Sequence, residues 1–184
     1  MIGRQREAVI LGLIEDLQCN GSWCGETHIQ KAAYFLQELL NVPLEIDFIL
    51  YKHGPYSFDL KDILNAMQAD LILQSKSTYP YGSCISPGLT SKQIKDTYPR
   101  ITEEYKNQIN FITEKLSNSS VSKLEKLATA YYVIKHKAPN SDLTERANII
   151  NQLKPHVSIE DAKIALNEAL ELVEEAKSII LCAA

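Results

Sequence analysis

Several features that would assign a function at sight are missing from this sequence. No apolar stretch approaches the roughly 20 residues a membrane helix needs, so no span is expected. Only seven glycines are scattered over 184 residues, and none of them forms the glycine-rich loop that cradles a phosphate. There is no surplus of positive charge: 19 Lys and Arg stand against 23 Asp and Glu, a net charge of -4, with a pI near 5.6. A protein that binds nucleic acid non-specifically draws most of its affinity from neutralising phosphates, so this balance argues against that class while leaving room for a local basic face. The four cysteines, Cys19, Cys24, Cys84 and Cys182, lack the paired spacing of a zinc site. In a chain of this size with no export signal they are expected to be reduced.

What is present is average globular composition, 45% hydrophobic and 23% charged, in a chain long enough to bury a core without disulfides or metal. One domain over 1–184 is expected. The start, MIGRQREAVILGLIEDL, carries Glu15 and Asp16 behind its apolar run and has no small-residue cleavage site. It reads as a helix rather than a signal peptide, and the chain is expected in the cytoplasm.

The periodicity predicts a mainly α, α+β fold. A first helix spans Arg4 to Cys19, with Ile10, Leu13, Ile14 and Leu17 at helical spacing, and stops at Asn20-Gly21. Thr27 and Gln30 have the spacing of a capping box for a second helix, which carries Ile29, Ala33, Leu36 and Leu40 and ends near Asn41-Val42. Leu44 to Tyr51 alternates Ile46, Phe48 and Leu50 and reads as a strand. His53-Gly54-Pro55-Tyr56 reads as a turn, and Ser57 as the cap of a third helix running to about Asp70. Leu71–Gln74 and Cys84–Ile85 flank a turn-rich stretch with Pro80, Gly82 and Ser83, a hairpin or wing signal.

From Ile101 only helical patterns follow. Tyr105, Ile109, Ile112 and Leu116 make one stripe. Ser122 and Glu125 form a capping box for the next helix, a short helix opens at Asn140–Asp142, and Ser158–Asp161 opens a long last one. The order over 1–90 is that of a winged-helix-like unit with a short strand and hairpin, and 91–184 is a C-terminal helical bundle.

The densest set of polar and aromatic groups is Tyr51-Lys52-His53-Gly54-Pro55-Tyr56-Ser57, where a strand meets a helix start that can hold an anion or a carboxylate. Turn chemistry and ring burial would account for the same residues without any ligand. Lys31 and Tyr34 on the second helix are placed to project beside this turn. The candidate partner-binding set is therefore Lys31, Tyr34, Tyr51, His53, Gly54, Pro55 and Tyr56. Cys24 with His28, or Ser57 with His53, would be the pairs for nucleophilic catalysis, but no nucleophile elbow or acidic orienter accompanies either. Cys19, Cys24, His28 and Cys84 are a poor metal set by spacing. No catalytic residue, metal or cofactor is expected. The acidic last helix, with Glu160, Asp161, Glu168, Glu171, Glu174 and Glu175, reads as a solvated face, with phosphate mimicry toward a basic partner as the sharper alternative.

Four segments carry a family resemblance: Ile29–Gln37 (IQKAAYFLQ), Tyr51–Leu60 (YKHGPYSFDL), Leu124–Tyr132 (LEKLATAYY) and Leu153–His156 (LKPH). Together they resemble the prokaryotic Panacea (SocA-like) antitoxin domains and the domain that follows the macrodomain in DarG-type antitoxins. The first two segments look like the shared core of that group, and the last two are closer to its stand-alone members. His53 departs from the pattern, standing where an aromatic or other residue often sits. The resemblance implies a non-catalytic module that binds a protein partner, a toxin in those systems. No macrodomain is expected within these 184 residues. The runner-up reading is a winged-helix DNA-binding regulator, with Lys61 and Lys76 on phosphates.

Overall fold

The computed structural model describes residues 1, 3–78 and 82–183, the side chains of Thr78, Cys182 and Ala183 excepted. Over these residues the chain is mainly helical with two small antiparallel sheets, the α+β class that the periodicity predicts. Helix α1 (Arg4–Cys19) buries Val9, Ile10, Leu13, Ile14 and Leu17 and stops at Asn20, as its apolar spacing requires. Helix α2 (Glu26–Glu38) lies against it and is buried from His28 to Leu36. No side chain caps α2; Gly25 stands at its N-cap. The expected Thr27–Gln30 capping box does not form, because the Gln30 amide is used elsewhere. Its nitrogen donates to the Ser57 carbonyl at 2.8 Å and its oxygen accepts from the Ser57 N–H at 2.9 Å.

The segment read as a strand from Leu44 pairs only at its end, as β1 (Ile49–Tyr51), antiparallel to β2 (Gly54–Tyr56). Positive φ at Asn41 and Glu45 interrupts the extended backbone upstream. There Gln37 substitutes for a neighbouring strand, donating to the Ile46 carbonyl and accepting from its N–H. Leu44 and Ile46 are buried as their alternation demands, but without a ladder. Gly54, Pro55 and Tyr56 belong to β2, so the turn is one step earlier than expected, at Lys52-His53.

Ser57 caps α3 (Phe58–Ala69), its hydroxyl accepting from the Leu60 N–H at 3.1 Å. The expected hairpin follows as β3 (Leu73–Thr78) and β4 (Gly82–Pro87), a separate two-stranded sheet. Pro80 of its expected turn lies outside the described residues. Helix α4 (Ser91–Thr97) has no legible signal in the pattern, and the stripe beyond it is divided at Tyr105 into α5 (Pro99–Glu104) and α6 (Lys106–Leu116).

Helix α7 (Val121–Tyr132) is capped by Ser120, not Ser122; the Ser120 hydroxyl accepts from the Lys123 N–H at 3.2 Å. Glu125, the expected box partner, turns inward instead. Helix α7 runs into a π-helical turn over Val133–Lys137. Asp142 then caps α8 (Leu143–Leu153), and Ser158 caps α9 (Ile159–Ala183) through the Asp161 N–H. Helix α9 packs on α7 and α8, with Ala162, Ala165, Leu166, Ala169 and Ala176 buried along its length.

One hydrophobic cluster runs from α1 through α9, so the α+β first part and the helical second part share a core. Part of the acidic surface of α9 is paired: Asp161 with Lys126 at 2.8 Å, Glu168 with Lys123 at 3.0 Å, and Glu175 with Lys115. Among the described residues no helix is long and apolar enough to cross a membrane.

Candidate functional site

The short β1–β2 hairpin brings the four segments of the resemblance together. Its tip rests on α7, where Gly54 has a φ of +82° and approaches so closely that a Cβ there would meet the Thr129 hydroxyl at 3.0 Å and the Glu125 carbonyl at 3.3 Å. Glycine is required for both reasons, the left-handed backbone and the missing space. From α2 the Lys31 ammonium donates to the Pro55 carbonyl at 2.8 Å. From the end of α8 the Lys154 ammonium donates to the Tyr51 carbonyl at 2.6 Å and also to that of Lys52. Two buried lysines from distant parts of the chain therefore hold the backbone of one hairpin.

Glu125 supplies the counter-charge. Its carboxylate is 3.8 Å from the Lys154 nitrogen, 3.2 Å from His53 Nδ1 and 3.5 Å from His156 Nε2. The oxygen facing Lys154 and His156 is within ion-pair range but makes no hydrogen bond among the described residues. Burial pushes Lys31 down to about 8, partly offset by the charge of Glu125 and reinforced by that of Lys154. Burial also lowers Lys154, again offset by Glu125. Ammonium groups taken out of water are held in place by oxygen acceptors and one carboxylate, the arrangement that buried charge requires.

Of the seven candidate residues, five belong to the hairpin and two to its support. Lys31 is 1% exposed and Tyr34 fully buried, which corrects the expectation that they contact a partner on this surface. Lys31 does reach the turn, but from below. Tyr34 points into an aromatic cluster with Phe35, Phe48 and Tyr131 at centroid distances of 5.3 to 5.9 Å, and its buried hydroxyl has no hydrogen-bond partner among the described residues. Burial pushes that hydroxyl's pKa well up, which suits a ring used for packing. Gly54 and Pro55 are buried as well and set the backbone.

Tyr51, His53 and Tyr56 reach solvent. Tyr51, Tyr56 and Phe58 form a triangle of rings, 5.9 Å between the tyrosines, 5.5 Å from Tyr51 to Phe58 and 5.2 Å from Tyr56 to Phe58. Tyr51 and Phe58 remain half exposed, at 50% and 52%, with Ile49 of the same strand at 47%. The Tyr56 hydroxyl donates to Glu26 at 2.8 Å. Its pKa is pushed up to about 12 by burial, then by the Glu26 hydrogen bond and charge and by Tyr51 and Asp62.

Sequence reasoning missed Phe58, Glu125, Thr129, Lys154 and His156 as parts of this assembly. The signal was available in their placement inside the segments that carry the resemblance. The catalytic pairs are not assembled. Cys24 Sγ is buried facing the Ile14 carbonyl, and His28 Nε2 is engaged with the Ser119 carbonyl at 2.9 Å. The Ser57 hydroxyl is buried in its capping bond, while His53 faces Glu125. Cys19, Cys24 and Cys84 are free thiols, and the Cys182 side chain lies outside the described residues. Among the described residues no group of three or more His, Cys, Asp or Glu side chains is placed to hold a metal ion. No family model matches the sequence, and no curated protein matches it significantly.

Proposed function

We propose that the chain is a non-catalytic, antitoxin-like or defence-associated interaction module that binds a protein partner through the exposed face of the β1–β2 hairpin. The observation that carries this reading is the ring triangle of Tyr51, Tyr56 and Phe58. Large rings on a rigid support lose little conformational freedom on binding, and such groups dominate interface energies. Lys31 and Lys154 provide that support by fixing the hairpin backbone from inside. The resemblance to Panacea-type domains supports the choice of a toxin as partner, in a cytoplasmic setting.

The test is co-expression with the product of an adjacent toxin gene in the native host. The proposal expects growth inhibition by that product to be relieved by the wild-type chain and not by a Tyr51→Ser/Phe58→Ser variant. Relief by both chains alike would contradict the role of this face, and relief by neither would contradict the antitoxin-like reading.

The second reading is a DNA-binding regulator. It is favoured by Lys61 on α3 and Lys76 on β3, which are exposed and have no ion-pair partner among the described residues. Binding to its own upstream DNA that weakens steeply with salt would support it, and salt-independent or absent binding would reject it.

A further inference from the structure

The aromatic face has a charge pattern that narrows the chemistry of its partner. Phe58 opens α3 and Asp62 follows one turn later, so the two share one helix face. Glu26 reaches the same place from the start of α2 through its bond to the Tyr56 hydroxyl. The rings of Tyr51, Tyr56 and Phe58 are thus bordered by carboxylates from two helices. Among the described residues neither Glu26 nor Asp62 has a Lys, Arg or His nitrogen within ion-pair distance, in contrast to Asp161 and Glu168 of α9, which are paired. Lys52 adjoins Tyr51 in the chain and Lys61 is three residues beyond Phe58; both are exposed, and neither lies over the rings.

An aromatic face draws cations through the negative charge of its ring faces, and nearby carboxylates add to that field. Among side chains the guanidinium suits such a surface best, because it is planar, weakly hydrated and able to stack on a ring while donating sideways to carboxylates. Resting on the reading of this chain as a protein-interaction module, we infer that the hairpin face takes an arginine-bearing segment of the partner, the guanidinium stacked on the exposed rings of Tyr51 and Phe58 and its charge met by Glu26 and Asp62. The Tyr56 ring, tied to Glu26, packs against both of these rings. The hairpin's own backbone is already held by Lys31 and Lys154, so recognition falls on the side chains.

The experiment places p-benzoylphenylalanine at position 58 of the full chain in the native host, with and without Glu26→Gln and Asp62→Asn. Gln at 26 keeps an acceptor for the Tyr56 hydroxyl, and an unchanged melting temperature confirms that the fold is retained. Irradiation is expected to give an adduct with a protein segment containing arginine. Its yield should fall about tenfold in the neutralised background. A Gly-Arg-Gly-Arg-Gly peptide should compete with the adduct, and its citrulline counterpart should not. An adduct with a segment lacking arginine, or one formed equally well in the neutralised background, overturns the inference and leaves the interaction module standing. Failure to form any protein adduct at position 58, or an adduct with nucleic acid or lipid only, overturns both.

Discussion

Lys31 directs its charge at a backbone carbonyl in a place from which water is excluded, and this gives it a pH signature. Burial lowers its folded-state pKa to about 8, from an ordinary value of 10.5. Below the folded value both states hold the proton; between the two values the unfolded chain binds it and the folded chain does not. Stability from this group is therefore gained as pH rises through about 8 and lost as pH falls through it. Compared with a Lys31→Met variant, the wild type should gain about 1.5 kcal/mol between pH 8 and roughly 9.5 in urea denaturation. Parallel curves for the two proteins would contradict this. Gly54 offers a second test. Gly54→Ala forces a left-handed residue and a 3.0 Å contact with Thr129, and should cost about 2 kcal/mol; a loss below about 0.5 kcal/mol would show that the hairpin can shift. The importance of the Lys31 and Gly54 positions was legible in the sequence, but their direction was not. A lysine amid an apolar helix face looks the same whether it faces solvent or a carbonyl, since the acceptor lies 24 residues away in the chain.

At the scale of elements, the hairpin is too short to stand alone. Two three-residue strands have few ladder bonds, and isolated two-stranded sheets are marginal in water. Its order depends on contacts from α2, α7 and the end of α8. A Lys154→Met variant is expected to speed amide exchange in Tyr51–Gly54 about tenfold, with little change in α1 or α9, because only the local opening energy is altered. Unchanged exchange at the hairpin would show that Lys154 is not its clamp. The helices are readable from periodicity wherever a stripe meets a clear stop or cap, as in α1, α3, α8 and α9. Two capping boxes expected from spacing fail to form for one reason: long-range partners claim the side chains of Gln30 and Glu125. The strand expected from Leu44 is cut short because alternating burial can be met by side-chain bonds from Gln37 as well as by a neighbouring strand.

Across the whole molecule, one core joins the α+β part to the helical part, and the hairpin lies where α2, α7 and the end of α8 contribute side chains to the same spot. This explains how segments spread from Ile29 to His156 can form a unit without being near in sequence. It also places the exposed rings on a support assembled by the fold as a whole. The most direct test of that account is affinity capture of the tagged chain from its native host after nuclease treatment, beside the Tyr51→Ser/Phe58→Ser variant at matched expression and melting temperature. The account predicts one stoichiometric protein partner with the wild type and its loss with the variant. The same partner recovered equally by both chains, or nucleic acid as the only companion before nuclease and nothing after it, would contradict it.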